Sequence, residues 1–252
     1  MITITGARKA YGSLVAVDNV TATIPTGGVT SIIGPNGGGK TTLLSLMSRL
    51  TPMDAGSIAF DGLDVAKTPS RELAKTMSIL RQENHLTMRL SVKDLVAFGR
   101  YPHSQGRLTE VDHEHITRAM DQLNLSPMAD KFVDELSGGQ RQRAFIAMVL
   151  AQDTEYLLLD EPLNNLDMKH SVEMMRLVRS LAKDLGKTVV VVVHDINFAS
   201  CYSDHIVALR DGQLIHEGPP AAIMQTPVLR DIYDIDIRIE EIDGNRIGVY
   251  FA

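Results

Sequence analysis

Val29-Thr30-Ser31-Ile32-Ile33-Gly34-Pro35-Asn36-Gly37-Gly38-Gly39-Lys40-Thr41-Thr42-Leu43-Leu44 is the stretch on which the reading of this chain turns. Its first five residues are mostly apolar and stop at a glycine, the pattern of a buried strand. Beyond Lys40 the period changes. Leu43, Leu46, Met47 and Leu50 recur at i, i+3, i+4 and i+7, one face of a helix running from about Lys40 to Leu50. Gly34 to Thr41 fits G-x-x-x-x-G-K-[ST] at the junction of strand and helix. Glycines let backbone N–H groups turn inward around phosphate oxygens with no Cβ in the way. The helix start adds unbonded N–H donors and a partial positive charge. Gly34, Pro35, Asn36, Gly37, Gly38 and Gly39 therefore read as a phosphate-binding loop. Lys40 would reach the outer phosphates and the Thr41 hydroxyl would ligate Mg²⁺. Thr42 completes the phosphate-binding set.

Outward from this loop, Met1 to Thr5 and Val15 to Ile24 read as further strands. From about residue 85 to 153 the texture is helical. Ile116, Ala119, Met120 and Leu123 form an apolar stripe behind a Thr109 N-cap, with Asp112 three residues on. A second helix should begin near Ser137 and run through Ala144 to Ala151, apolar nearly all round and so buried. Tyr156 to Leu159 reads as a strand, Lys169 to Leu185 as a helix, and Thr188 to Val193 as a strand of five valines. Apolar runs without alternation suit strands covered on both faces. Asp211-Gly212 and Asp243-Gly244 mark hairpins. Pro219-Pro220 through Tyr233 reads as one helix, followed by a hairpin to Phe251, with no chemistry assigned. The class is α/β: one domain over 1–252, with a core of 1–84 and 154–252 and an inserted helical subdomain at 85–153.

Length and composition bound the function. At 252 residues the chain can bury a full core without disulfides or structural metal. With 44% apolar and 22% charged residues it falls in the soluble globular range, which excludes disordered and collagen-like classes. One cysteine, Cys201, forbids an intrachain disulfide and makes a reducing compartment the default. A net charge of -6 argues against duplex nucleic acid as the partner. The longest apolar runs, Ala144 to Ala151 and Val189 to Val193, fall short of the roughly 18 residues that span a bilayer. The N-terminus lacks a signal-peptide pattern. The expectation is a cytosolic protein.

Three further sites carry chemistry. Asp160-Glu161-Pro162 follows an apolar strand, and ligands bind outside the carboxyl ends of such strands. Successive strand residues point to opposite sides, which gives the two acids different work. Asp160 suits Mg²⁺, and Glu161 suits orienting or deprotonating an attacking water. His194 stands directly after the valine strand, placed to contact an outer phosphate or the water. In Leu136-Ser137-Gly138-Gly139-Gln140, Ser137 is an N-cap, and Gly138 and Gly139 leave the first N–H groups bare, a second anion site.

That string, beside a phosphate loop and a strand-end Asp-Glu, resembles the ATP-binding cassette ATPases over essentially the whole chain. The resemblance implies their fold: a phosphate-loop core with a mostly parallel sheet, an N-terminal antiparallel β segment and a helical subdomain bearing the signature Leu136 to Gln140. It also implies ATP and Mg²⁺. Tyr11 matches the aromatic that stacks on adenine. Gln82 matches the glutamine that senses Mg²⁺ and the transporter interface. Asn164-Asn165-Leu166-Asp167 matches the loop whose aspartate crosses to a partner subunit, and His194 matches the switch histidine. Two copies would face head to tail, each nucleotide lying between one phosphate loop and the other copy's signature. Gly38 departs from the Ser, Ala or Cys that most relatives carry, and Asn164-Asn165 from a commoner Thr/Ser-Ala/Gly pair.

Phe98 to His103 and His194 to Val207 look like the ATPases of bacterial iron–siderophore importers, nearest to those for ferric catecholates. The resemblance then implies a peripheral place on the cytoplasmic face of the membrane. Permease subunits would be direct partners and a siderophore-binding protein an indirect one, with no nucleic acid and no iron bound by this chain. His113 and His115 then need no metal role. Related haem, cobalamin or metal importers, and a soluble cassette ATPase of the iron–sulfur assembly type, stay open at this stage.

Overall fold

The structure is a computed structural model that describes residues 1–82, 88–164 and 166–251. The expected subdomain boundary at 84–85 and Asn165 lie outside the described residues. Strands β1 (Ile2–Tyr11), β2 (Leu14–Ile24) and β3 (Gly28–Ile33) lead into helix α1 (Lys40–Met47). Next come β4 (Ala55–Phe60), β5 (Leu63–Asp64), α2 (Ser70–Thr76) and β6 (Met77–Leu80). Helices α3 (Val92–Phe98), α4 (Tyr101–Ser104), α5 (Glu110–Gln122) and α6 (Gly138–Ala151) follow. The chain continues through β7 (Tyr156–Asp160), α7 (Met168–Lys183), β8 (Thr188–Val192), α8 (Ile196–Tyr202), β9 (His205–Arg210) and β10 (Gln213–Gly218). It closes with α9 (Pro220–Ile223), α10 (Thr226–Tyr233), β11 (Arg238–Ile242) and β12 (Asn245–Val249).

Two compact units result, Met1–Thr68 with Met175–Ala252 and Pro69–Met174. In the first, β2-β1-β4-β5 form an antiparallel sheet. Beside it runs a mixed sheet: β3 lies parallel between β8 and β9, and β10 pairs antiparallel with β9. Every residue of β8 is buried, the burial on both faces that the valine run called for. Helix α1 ends at Met47, short of the expected Leu50. Arg49 adopts φ +56°, and its guanidinium donates to the carbonyls of Val65 (2.9 Å) and Thr68 (2.6 Å). That turn leaves Leu50 half exposed.

Both expected Asp-Gly hairpins form, with positive φ at each central residue, as a two-residue type I′ turn requires. A third, Asp61-Gly62, joins β4 to β5; the sequence reading passed over it although it carries the same dipeptide. The single helix expected from Pro219 to Tyr233 is instead two, α9 and α10. Pro227 has no N–H to offer the Ile223 carbonyl one turn back, so the first helix cannot run through it. Gln225 is extended between the two.

In the second unit β6 and β7 pair in parallel, Met77 with Tyr156 through Leu80 with Leu159. Helices α3, α5 and α6 pack on one another. Thr109 and Asp112 form the expected reciprocal cap of α5, and Ser137 and Gln140 cap α6. The segment Phe98 to His103, which sequence reasoning could match but not explain, has a structural cause. Arg100 is buried, its Nε donating to Asp112 Oδ1 and its Nη1 to the Ala151 carbonyl, each at 2.9 Å. His103 Nε2 meets the Gln152 carbonyl at 2.9 Å. One guanidinium thus ties the first turn of α5 to the last turn of α6.

Burial opposes ionisation of Asp112, but the Thr109 N–H and hydroxyl and the Arg100 guanidinium outweigh it and hold the carboxyl at about 2. A depressed carboxylate pKa adds stability that is complete above the unfolded value of about 3.9 and is lost as pH falls through the folded one. Arg100→Met leaves Asp112 buried without its cation and should cost about 3–5 kcal/mol in urea unfolding. Asp112→Asn should flatten the fall in wild-type stability between about pH 4 and pH 2. A Met variant within 1 kcal/mol of wild type, on the order of an exposed pair, would contradict the tie.

Candidate functional site

In the first unit the phosphate loop is shaped by steric exclusion. At Gly34, φ +139°, a Cβ would lie 1.9 Å from the Leu209 carbonyl oxygen of β9. At Gly39, φ +95°, a Cβ would lie 2.4 Å from the Ala16 carbonyl oxygen of β2. Both positions therefore exclude every side chain, and the loop is pressed between two strands. At the departing position, Gly38 N–H donates to the Pro35 carbonyl (3.1 Å) and Gly212 N–H donates to the Gly38 carbonyl (3.2 Å). Lys40 is buried, and its Nζ donates to the carbonyls of Gly34 and Pro35, each at 2.9 Å. No side chain caps α1, whose N-cap is Gly39, and Thr41 and Thr42 stand in its first turn. These features fit a polyphosphate. Tyr11 closes β1, half exposed, with the Lys9 ammonium 5.5 Å from its ring centre.

His194 is exposed just past β8. It lines a cavity of about 180 Å³ with Ile196, Tyr233, Ile235, Ile237 and Tyr250. The C-terminal hairpin is anchored beside it. Asn197 Oδ1 accepts from Gly248 N–H (2.7 Å), Asn197 Nδ2 donates to the Gly248 carbonyl (3.2 Å), and Ser200 Oγ donates to the Arg246 carbonyl (2.6 Å). The segment His194 to Ser200 thus carries these docking points for residues 245–249. Burial pushes the Tyr233 phenol far above its usual range. Tyr233 has no local pattern that would single it out in the sequence.

In the second unit Asp160 is the buried last residue of β7, and Glu161 lies beyond the strand with φ +48°. The alternation expected to separate the two acids is therefore replaced by a turn. Asn164 N–H donates to the Glu161 carbonyl (3.2 Å) across Pro162, and Glu161 sits in a region that costs a non-glycine residue about 1–2 kcal/mol. Its side chain is held as well: Glu161 Oε2 accepts from Gln82 Nε2 (2.7 Å) and from Asn164 Nδ2 (2.6 Å). Gln82 and Glu161, 79 residues apart in the chain, are thereby brought together.

The signature turn is capped from both ends. Ser137 Oγ accepts from Gln140 N–H (3.4 Å), while Gln140 Oε1 accepts from Ser137 N–H (3.1 Å), so Gln140 serves its own helix cap. Gly138 is exposed and Gly139 is buried. Asp167 sits at the start of α7, its Oδ1 accepting from the His170 N–H, which with the His170 ring holds the carboxyl below its usual range. His170 escaped the sequence reading, although an Asp three residues before it at a helix start is a capping signal.

A phosphate loop opening a helix, a strand-end Asp-Glu pair and a capped Ser-Gly-Gly-Gln helix define a nucleotide-hydrolysing cassette. The chain belongs to the ABC transporter family, whose model matches residues 17–164, and is an ATP-hydrolysing component of it. It is 57% identical over 252 residues, all of both chains, to the petrobactin import ATP-binding protein YclP of Bacillus subtilis. The petrobactin import ATP-binding protein FatE of Bacillus anthracis is 48% identical over 99% of this chain and 100% of its own length. Among solved structures, the dimeric ATP-binding cassette MJ0796 bound to ADP and Pi is 29% identical, covers 87% of this chain and 99% of its own, and gives a TM-score of 0.77. No helix among the described residues is long and apolar enough to cross a membrane.

Gly34→Ala forces a methyl into the Leu209 carbonyl. Thermal unfolding should show a loss of about 2 kcal/mol or more, with ATP-analogue binding lost in the folded fraction. Unchanged melting and binding would show that β9 yields to the loop.

Proposed function

We propose that this chain is the ATP-hydrolysing subunit that powers import of a ferric siderophore across a bacterial cytoplasmic membrane. The observation that carries this reading is the end-to-end identity of 57% with a relative named for petrobactin import. The chain would work as a head-to-tail homodimer beneath permease subunits, on the cytoplasmic face, with a siderophore-binding protein upstream and no contact of its own with iron. Residues 1–84 and 154–252 would form its nucleotide-binding core and 85–153 its signature-bearing subdomain.

Mg²⁺ bound with the nucleotide would supply charge neutralisation at the outer phosphates, and an oxygen set of Thr41, Asp160 and Gln82 suits that hard cation. The chain's residues divide the rest. Tyr11 stacks on the base. The N–H groups of residues 34–39, with Lys40, Thr41 and Thr42, hold the polyphosphate. Glu161 orients the attacking water and takes its proton, its carboxylate held by two amide donors on Oε2. His194 bonds the outer phosphate. Ser137, Gly138, Gly139 and Gln140 close over the partner copy's nucleotide, and Asp167 crosses between copies.

Glu161→Gln should retain ATP, lower turnover by about 10²- to 10⁴-fold and accumulate an ATP-bound dimer on sizing. Undiminished hydrolysis would remove Glu161 from the mechanism. In a host lacking the gene, growth on ferric petrobactin as sole iron should fail and return with the wild type but not with Glu161→Gln. Growth without the gene would remove that cargo.

A further inference from the structure

Gly139, the second glycine of the signature, has an unusual neighbour. A Cβ built there would lie 2.7 Å from Cδ2 and 3.1 Å from Cγ of His170, so the imidazole rests on the bare Cα of the first turn of α6. The same ring is held from its other side: His170 Nδ1 lies 2.8 Å from Asp167 Oδ1, the oxygen that also accepts the His170 N–H at 2.8 Å. Asp167 is thus gripped twice by one residue, and that residue's ring is the surface on which the signature turn sits. Gly139 is buried although its neighbours Ser137 and Gly138 are exposed, which fits a ring covering one side of this turn only.

We infer that His170 is a positioning residue that locks the Asp167 loop to the N-terminus of the signature helix, so that the two elements move as one piece. The inference rests on the proposed head-to-tail reading, in which both elements serve the partner's nucleotide. His170 touches no reacting atom. Its ring fixes the distance between α6 and the start of α7 by contact, and its Nδ1–H fixes the orientation of the Asp167 carboxylate by a charge-assisted hydrogen bond. Glycine at 139 follows from the ring: the imidazole occupies the space that a methyl group would need.

Four variants of the full chain test the lock: His170→Ala, His170→Asn, Gly139→Ala and the double Gly139→Ala/His170→Ala. Each is read by thermal unfolding, ATP-driven dimerisation on sizing, and KM and kcat for ATP. The wild type is measured first; a wild type that neither hydrolyses ATP nor dimerises overturns the functional reading and this inference with it. With an active wild type, His170→Ala should raise KM and the ATP needed for dimerisation by about tenfold, with kcat changed far less. His170→Asn, which keeps an amide donor for Asp167, should recover most of that loss. Gly139→Ala should be impaired in dimerisation at least as strongly as His170→Ala, and removing the ring in the double variant should return it to the His170→Ala level. His170→Ala indistinguishable from wild type, or equal falls in folded fraction and kcat with KM unmoved, would overturn the positioning role. A double variant no better than Gly139→Ala would overturn the contact, and His170→Asn no better than His170→Ala would overturn the hydrogen bond.

Discussion

Tyr156–Asp160 and Thr188–Val192 are buried at every residue, and a strand with no wet face can present polar chemistry only where it ends. That constraint arranges the chain. Asp160 is the last residue of its strand and Glu161 the first beyond it, while His194 follows the valine strand by two positions. The phosphate loop obeys the same rule, following β3, whose residues from Val29 onward are buried. In each case the apolar run fixes the strand, the strand fixes where the backbone emerges, and the emerging residues are those proposed to carry the function.

Local signals in the sequence were strong where the physics is local. The loop glycines, the Thr109 and Ser137 caps and the Asp-Gly turns depend on residues within a few positions of one another, and all were legible. What stayed hidden depends on long-range contact. Nothing in the sequence links Arg100 to Ala151, or Gln82 to Glu161. Those pairs become neighbours only when α3 packs against α6 and β6 pairs with β7. The left-handed backbone at Glu161 was equally invisible, because no glycine or asparagine announces it. Helix ends fared worst: α1 stopped early because Arg49 found two carbonyls, and the helix expected after Pro219 broke because Pro227 lacks a donor.

The two segments that sequence matching could name but not explain have the same kind of cause. Phe98 to His103 supplies a guanidinium and an imidazole that bind the carboxyl end of α6. His194 to Ala199 supplies the Asn197 amide that receives the C-terminal hairpin. Apart from His194, these contacts join one part of the chain to another. Both set where neighbouring elements sit.

Glu161 also bears on how this protein tolerates selection. Its backbone occupies a conformation that glycine or asparagine adopts at lower cost, so at this position durability and chemistry ask for different residues. Under the role proposed for Glu161, a laboratory screen that rewards heat resistance alone would favour replacing the glutamate, and the survivors would be sturdy cassettes that no longer turn over.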